Sequence, residues 1–274
     1  GPQQPSNDGW FRPLKIKVPR GTVFSAEKPM PTGWYYEGSA QASELVWRAL
    51  APLAPERFSA GSYMSLCGTY LTGEGRNGEF VHIEPQHGGW GATPSRDGTS
   101  GLIAITDGDT YNYSVEVLEA KFPLLVRRYG LNVEAGSGAG RHRGGFGLVR
   151  EYEIKAPLVD LYASFGRGIT RPWGMEGGGE GGTNQIEVEG QGGKARLTRT
   201  PRYPLQGGDR IRIVTGGGGG WGPAKARDPA AVAEDVADGL LTAAEAAATY
   251  GVILDAATGA VDATATERQR GRMA

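Results

Sequence analysis

The chain has little of what disulfide-stapled domains, metal centres and membrane spans are built from. One cysteine, Cys67, stands in 274 residues, which excludes an intramolecular disulfide framework and any cysteine-rich zinc or iron–sulfur site, and fits a reducing, cytoplasmic setting. The three histidines, His82, His87 and His142, are spaced too widely for a helical metal motif, so this chain alone is not expected to hold a metal or a cofactor. Apolar stretches such as 102–105 and 158–163 fall far short of the roughly 20 residues that span a bilayer. The opening Gly1-Pro2-Gln3-Gln4-Pro5 has neither the basic start nor the apolar run of a signal peptide, and residues 1–9 read as a flexible tail. Excess charge is missing as well. The 29 Lys and Arg against 30 Asp and Glu leave a net −1, with no field to gather nucleic acid or an anionic membrane as a partner.

What is abundant is glycine, 46 residues, with 17 prolines. That punctuation rules out a mainly helical protein, while 39% hydrophobic content supports a core. Alternation of Leu14, Ile16 and Val18 with lysines predicts a half-buried strand. A helix is expected over 39–50, with Ser39 or Ser43 as cap and Ala42, Leu45, Val46, Ala49 and Leu50 on its core face. Runs at 58–72 and 80–84 joined by the polar 73–78 predict a hairpin. A further strand is expected over 101–106, emptying into a turn at Asp107 to Thr110.

Beyond residue 140, segments 146–155, 158–165, 184–189, 194–199 and 209–215 have strand composition between Gly or Pro turns. Phe146, Leu148, Tyr152 and Ile154 recur at even positions, and Arg150 interrupts that apolar series. After Pro223 the composition turns Ala-rich. Asp228 and Pro229 open a helix at about 229–238 that Gly239 closes, Thr242 and Glu245 match a capping box, 252–254 suits a short strand, and the residues from about 263 read as a frayed polar tail. The fold class is therefore α+β and β-rich, with antiparallel sandwich- or barrel-like sheets. Its division is a tail at 1–9, a β-rich module at 10–225 and a helical C-terminal appendage and tail at 226–274.

Five glycines at 216–220 suggest a phosphate cradle, but Trp221-Gly222-Pro223 follows where a P-loop needs Lys-Ser or Lys-Thr and a helix. Tight backbone packing, or a flexible loop against a partner, accounts for them better. Gly136 to Gly140 likewise fails the dinucleotide pattern. No Gly-x-Ser-x-Gly elbow occurs, and Cys67 reads as core. The polar groups placed to meet a substrate are Glu84, His87 beside the Gly88-Gly89-Trp90-Gly91 bend, Asp107 and Asp109. They could serve in proton transfer or anchoring, and ordinary turn carboxylates with a solvent-facing histidine would look the same.

Several phrases in order carry a resemblance: Asn7-Asp8-Gly9-Trp10-Phe11-Arg12-Pro13-Leu14, Val18-Pro19-Arg20-Gly21, His87-Gly88-Gly89-Trp90-Gly91-Ala92, Arg96-Asp97-Gly98 and Asp107-Gly108-Asp109-Thr110-Tyr111-Asn112. Gly138-Ala139-Gly140-Arg141-His142-Arg143-Gly144-Gly145, Pro172-Trp173-Gly174, Arg227-Asp228-Pro229 and Tyr250-Gly251-Val252 continue it. Together, over residues 7–254, the chain resembles the hydantoinase B, or N-methylhydantoinase B, family, which includes the B-like half of 5-oxoprolinase and subunits of acetone and acetophenone carboxylases. It resembles only the C-terminal half of such proteins, and His87 stands where the family more often has Gly. The resemblance implies an ATP-dependent multi-subunit enzyme acting on a small cyclic amide or ketone. ATP-Mg would sit on a hydantoinase A-type ATPase partner, and a divalent metal, Zn or Mn, on the chain carrying the N-terminal half. Phosphorylation of an amide oxygen makes it a better leaving group and its carbon a better electrophile before ring opening. Cyclic amide hydrolysis, ketone carboxylation and a non-catalytic assembly role all remain open at this level.

Overall fold

Period-two alternation of apolar and polar residues builds the strands, which sort into two antiparallel sheets. The computed structural model describes residues 9, 12, 13, 15–105, 107, 108 and 110–273, so Asp109 and all of the expected tail except Gly9 lie outside the described residues. β1 (Gly68–Gly75) and β2 (Gly78–Glu84) form the expected hairpin, closing on Arg76 and Asn77 alone because Gly75 pairs with Gly78. With β5 (Leu158–Ser164) and β8 (Arg199–Gln206) they make a sheet of order β2-β1-β5-β8. The second sheet joins β3 (Leu124–Leu131), β4 (Leu148–Ile154), β9 (Arg210–Val214), β6 (Gln185–Gly190) and β7 (Gly193–Leu197), in that order. Leu71, Val159, Leu161 and Leu205 from one sheet and Tyr152, Ile154, Ile186 and Ile211 from the other fill the core. The β-rich α+β sandwich expected from the sequence is the fold observed.

Two strands expected before residue 110 do not form among the described residues. Residues 15–19 are irregular, with Ile16 84% exposed, and no strand of the described residues takes up their hydrogen bonds. In the expected strand 101–106, the described residues make only an isolated bridge from Leu102 to Gly88. β3 and β8 escape the sequence pattern for local reasons. A bulge between Val126 and Arg128 breaks the alternation of β3, and Pro201 and Pro204 disguise β8, which tolerates them as an edge strand.

α1 (Tyr35–Leu50) begins earlier than expected, and neither Ser39 nor Ser43 caps it. Their hydroxyls donate back to the carbonyls of Tyr36 and Ser39, each at 3.0 Å. Its orientation is also inverted: Leu45, Val46 and Leu50 are exposed, while Glu37, Ala40 and Glu44 are buried. Glu37 accepts from the Ser65 hydroxyl at 2.9 Å, and Glu44 accepts from the Ser62 amide and pairs with Arg167. Those polar contacts decide which side of the helix faces inward. α2 (Val115–Lys121) is capped by Ser114.

The pentaglycine is closely packed backbone. Gly216 to Gly220 are buried among other glycine-rich segments; Gly218 receives the Gly138 amide at 2.8 Å and donates to Gly145 at 2.9 Å, while Gly219 donates to Gly61 at 2.8 Å. The same layer holds the Gly88-Gly89-Trp90-Gly91 bend after His87. Gly89 donates to Gly216 at 3.0 Å and Trp90 to Thr99 at 2.9 Å, so this bend is fixed.

In the appendage, α3 (Pro229–Ala237) is capped by Asp228, and α4 (Ala243–Glu245) opens with the expected Thr242–Glu245 capping box. It runs on as a π turn over Ala246–Tyr250 and stops at Gly251, φ 65°. The segment 252–254 gives only a bridge from Leu254 to Val261. The end of the chain is ordered: α5 (Ala263–Arg272) replaces the expected frayed tail, because Asp262 caps it and Arg270 donates to the carbonyls of Tyr250 at 3.1 Å and Arg227 at 2.6 Å. Among the described residues no helix is long and apolar enough to cross a membrane.

A charged knot ties the C-terminal helices to the loops that carry Asp97 and Arg143. Arg227 grips both Asp97 oxygens at 2.7 Å and reaches Asp235 at 2.8 Å, while Arg143 takes the other Asp235 oxygen at 2.9 Å. Burial would push the Asp97 carboxyl up, but the Arg227 fork together with the Arg143 charge and amide holds it below the usual carboxylate range. A depressed carboxyl contributes stability above its unfolded-state value of about 4 and loses that contribution as pH falls through the folded-state value. Asp97→Asn is therefore expected to lower stability at pH 7 by about 2 kcal/mol, with the difference from wild type shrinking in acid below about pH 4. Urea unfolding followed across that range reads both effects.

Candidate functional site

β2 leaves the sheet edge carrying two polar side chains on its inward face. His82 and Glu84 are buried while Val81 and Ile83 face out, the reverse of what a one-sided sheet normally shows. The partner that makes this tolerable comes from the other sheet. Arg150 of β4 points into the sandwich, 1% exposed, and its guanidinium ion-pairs with Glu84 while lying 4.5 Å from the Tyr129 ring centre. Tyr152 Oη donates to the same Glu84 oxygen at 3.1 Å and His82 Nε2 sits 3.3 Å from it; the other oxygen receives the Tyr113 amide at 2.8 Å. Burial would raise the Glu84 carboxyl, yet His82, Arg150 and the Tyr113 amide together hold it below its ordinary range.

This cluster anchors the loop that carries the sequence's other candidates. Asn112 Nδ2 donates to the Pro85 carbonyl at 2.9 Å, next to the Tyr113–Glu84 bond, and so ties the 107–113 segment to the exit of β2. Asp107 is set by its own amide, which donates to Ala104 at 3.0 Å, and by its carbonyl, which accepts from Thr110 Oγ1 at 2.8 Å; its Oδ2 is buried without a hydrogen-bond partner among the described residues. His87 is held by its carbonyl, which accepts from Thr215 Oγ1 at 2.6 Å, and its ring Nε2 is likewise buried and unpartnered among the described residues. Burial lowers the His87 pKa; the Thr110 backbone contact, Glu84 and Asp107 act the other way, and Arg150 adds to the lowering. His87 thus feels the charges of Glu84, Asp107 and Arg150 together.

Three of the four residues singled out from sequence therefore converge on one place. Glu84 lies at the end of a strand with both oxygens engaged, which suits positioning. His87 and Asp107 each keep one buried polar atom that no described residue satisfies. Asp109 falls outside the described residues. The residue that pattern reasoning did not select is Arg150, although its signal was visible as the one charge in an inward apolar series. Cys67 is fully buried, its thiol pushed up by burial, and is core. Among the described residues no group of three or more His, Cys, Asp or Glu could hold a metal ion, and no metal ligand is assigned.

A family model for hydantoinase B/oxoprolinase matches residues 1–224. The caprolactamase subunit beta of Pseudomonas jessenii is 31% identical over 97% of this chain and 48% of its own length. 5-Oxoprolinase 1 of Arabidopsis thaliana is 32% identical over 80% of this chain and 16% of its own. The crystal structure of ATP-dependent caprolactamase from Pseudomonas jessenii superposes with a TM-score of 0.81 at 26% identity, covering 98% of this chain and 48% of that one. A nucleotide-free acetone carboxylase structure shares the fold, with a TM-score of 0.68 at 20% identity over 82% of this chain and 36% of that one. The chain spans less than half the length of these curated relatives. With the family model covering most of its length, the chain belongs to the hydantoinase B/oxoprolinase family.

Proposed function

We propose that this chain is part of the B-type subunit of an ATP-dependent, multi-subunit cyclic amide hydrolase of the hydantoinase, oxoprolinase or lactamase type. It completes the substrate chamber beside a metal site held elsewhere in the subunit, and an A-type ATPase partner activates the substrate. The observation that carries this is the match of nearly the whole chain to a caprolactamase chain, with a TM-score of 0.81 over 48% of that chain. Within the chamber, His87 and Asp107 are the groups that act on substrate. The lowered pKa of His87 keeps its imidazole neutral near pH 7, able to accept a proton at Nε2. Asp107 Oδ2 offers a carboxylate oxygen to a ring N–H or to an attacking water. Glu84 and Arg150 hold the loop that presents Asp107.

The test uses the assembled complex supplied with ATP and hydantoin, 5-oxoproline or caprolactam. His87→Ala and Asp107→Ala are each expected to assemble normally and to lower kcat by about 100-fold, the usual scale of general acid–base assistance. Variants that assemble and keep full turnover would remove both residues from the chemistry. Bicarbonate consumption with a carboxylated product from acetone or acetophenone would assign a ketone carboxylase instead, and assembly without any turnover would leave the chain a scaffold.

A further inference from the structure

Five tryptophans fall within the described residues, and they divide into two groups. Trp34 meets the Tyr36 and Tyr70 rings edge-on, Trp173 lies 5.1 and 5.2 Å from the Arg48 and Arg167 guanidinium carbons, and Trp221 lies 5.2 Å from that of Arg141. Trp47 and Trp90 have no such ring or cation against them among the described residues, and both are partly exposed. These two line one cleft of about 720 Å³, together with Phe58, which is likewise unstacked and partly exposed. Single exposed apolar side chains need no explanation, but three open aromatic rings converging on a concavity of small-molecule size have the make-up of a ligand site.

The cleft is built rather than incidental. α1 supplies Trp47, the turn after it supplies Phe58, and the bend after His87 supplies Trp90. Trp90 is fixed at both ends, its Nε1 donating to the Ile103 carbonyl and its amide to the Thr99 carbonyl, each at 2.9 Å, so its ring is oriented before anything binds. The rim sets the charge of the occupant. Glu56 and Arg57, 3.7 Å apart, offset one another, and both Asp97 oxygens are held by Arg227 at 2.7 Å. Arg96 is exposed and ion-pairs with no described residue. Its backbone is nonetheless set, because its amide donates to Thr93 Oγ1 at 3.2 Å, its carbonyl accepts from the Thr93 amide at 3.0 Å, and Arg141 donates to the Pro94 carbonyl at 2.8 Å. Open aromatic faces also attract cations, but the unpaired charge at this rim is positive and selects an anion. We infer that the cleft between Trp47, Phe58 and Trp90 binds a flat conjugated ring bearing one carboxylate, with the ring against the indoles and the carboxylate on Arg96. The inference uses this chain's residues alone and is independent of the B-type reading.

The full chain, labelled with fluorotryptophan, is titrated with 2-naphthoate, and with 2-naphthamide and cyclohexanecarboxylate as the neutral and the non-planar comparisons. 2-Naphthoate is expected to bind with a dissociation constant of about 1 mM or below, the scale set by a ligand of that size. Each comparison is expected to bind at least about tenfold more weakly. The fluorine lines of Trp47 and Trp90 should move on titration while those of Trp34, Trp173 and Trp221 stay. Arg96→Gln should weaken 2-naphthoate about tenfold and leave 2-naphthamide unchanged, whereas Trp47→Leu should weaken both about tenfold. If Trp47→Leu unfolds, the wild-type line shifts and Arg96→Gln, at an exposed position, decide. No binding of 2-naphthoate, binding no tighter than that of either comparison, shifts of the other tryptophans instead, or unchanged affinity in folded Arg96→Gln each overturns the inference.

Discussion

Gly218→Ala is expected to cost about 3 kcal/mol or more and to leave little folded protein at 37 °C. A Cβ at Gly218 would sit 2.0 Å from the Trp90 carbonyl oxygen, 2.2 Å from its carbon and 2.5 Å from the Gly91 nitrogen. None of these belongs to a side chain that could swing aside. The Trp90 backbone is pinned by bonds to Thr99 and Gly145, and Gly219 on the next residue accepts the Ala92 amide at 2.9 Å. Relief would require two backbone layers to separate and break those bonds together. Gly130→Ala is the control: it lies in β3 with nothing within 4 Å of its Cβ, and is expected to change stability by no more than about 0.5 kcal/mol. Urea midpoints of the two variants compare them directly, and equal midpoints would mean that the glycine layers are looser than their hydrogen bonds imply.

This packing also shows what the sequence could and could not reveal. The sheets of the C-terminal half were legible because 158–165, 184–189 and 209–215 alternate cleanly between Gly turns, and the capping residues of the appendage were legible because Asp228, Thr242 and Glu245 act through bonds only two or three residues long. The glycine layer could be read as packing but not as an architecture, since its partners at Gly61, Gly138 and Gly145 are remote in sequence. α1 misled for a different reason. Hydrophobic periodicity reports which side of an element is apolar, and here the buried contacts of Glu37 and Glu44 turn the other side inward. In the candidate site, Glu84, His87 and Asp107 stood out by residue type and by neighbouring turns. Their common organiser Arg150 did not, because Glu84 and Arg150 meet across two sheets whose pairing no local pattern encodes.

Arg150→Met should be the most damaging substitution in the sandwich interior, and it should reverse the sign of one pH dependence. Methionine fills much of the same space against Tyr129, but it leaves the Glu84 carboxylate, 2% exposed, without its cation. Removing one member of a buried ion pair costs about 3–5 kcal/mol because the survivor stays buried and charged. In wild type the depressed Glu84 carboxyl contributes stability above about pH 4 that acid removes. Without Arg150, burial dominates and the carboxyl rises, so between about pH 4 and 7 acidification should stabilise Arg150→Met by letting Glu84 take up a proton. Adding Glu84→Gln removes the buried charge while keeping an acceptor for the Tyr113 amide. The double variant should then recover about 1–3 kcal/mol relative to the sum of the single changes and lose the pH response. Chemical unfolding of the three variants at pH 5 and pH 7 measures the whole cycle; additive energies with no pH reversal would mean that Glu84 and Arg150 act independently. Because the Tyr113 amide binds Glu84 and Asn112 binds the Pro85 carbonyl, the same cycle reaches the loop bearing Asp107. Arg150→Met in the assembled complex should lower kcat by loosening that loop, and adding Glu84→Gln, which removes the unpaired charge and keeps an acceptor for the Tyr113 amide, should restore part of the loss.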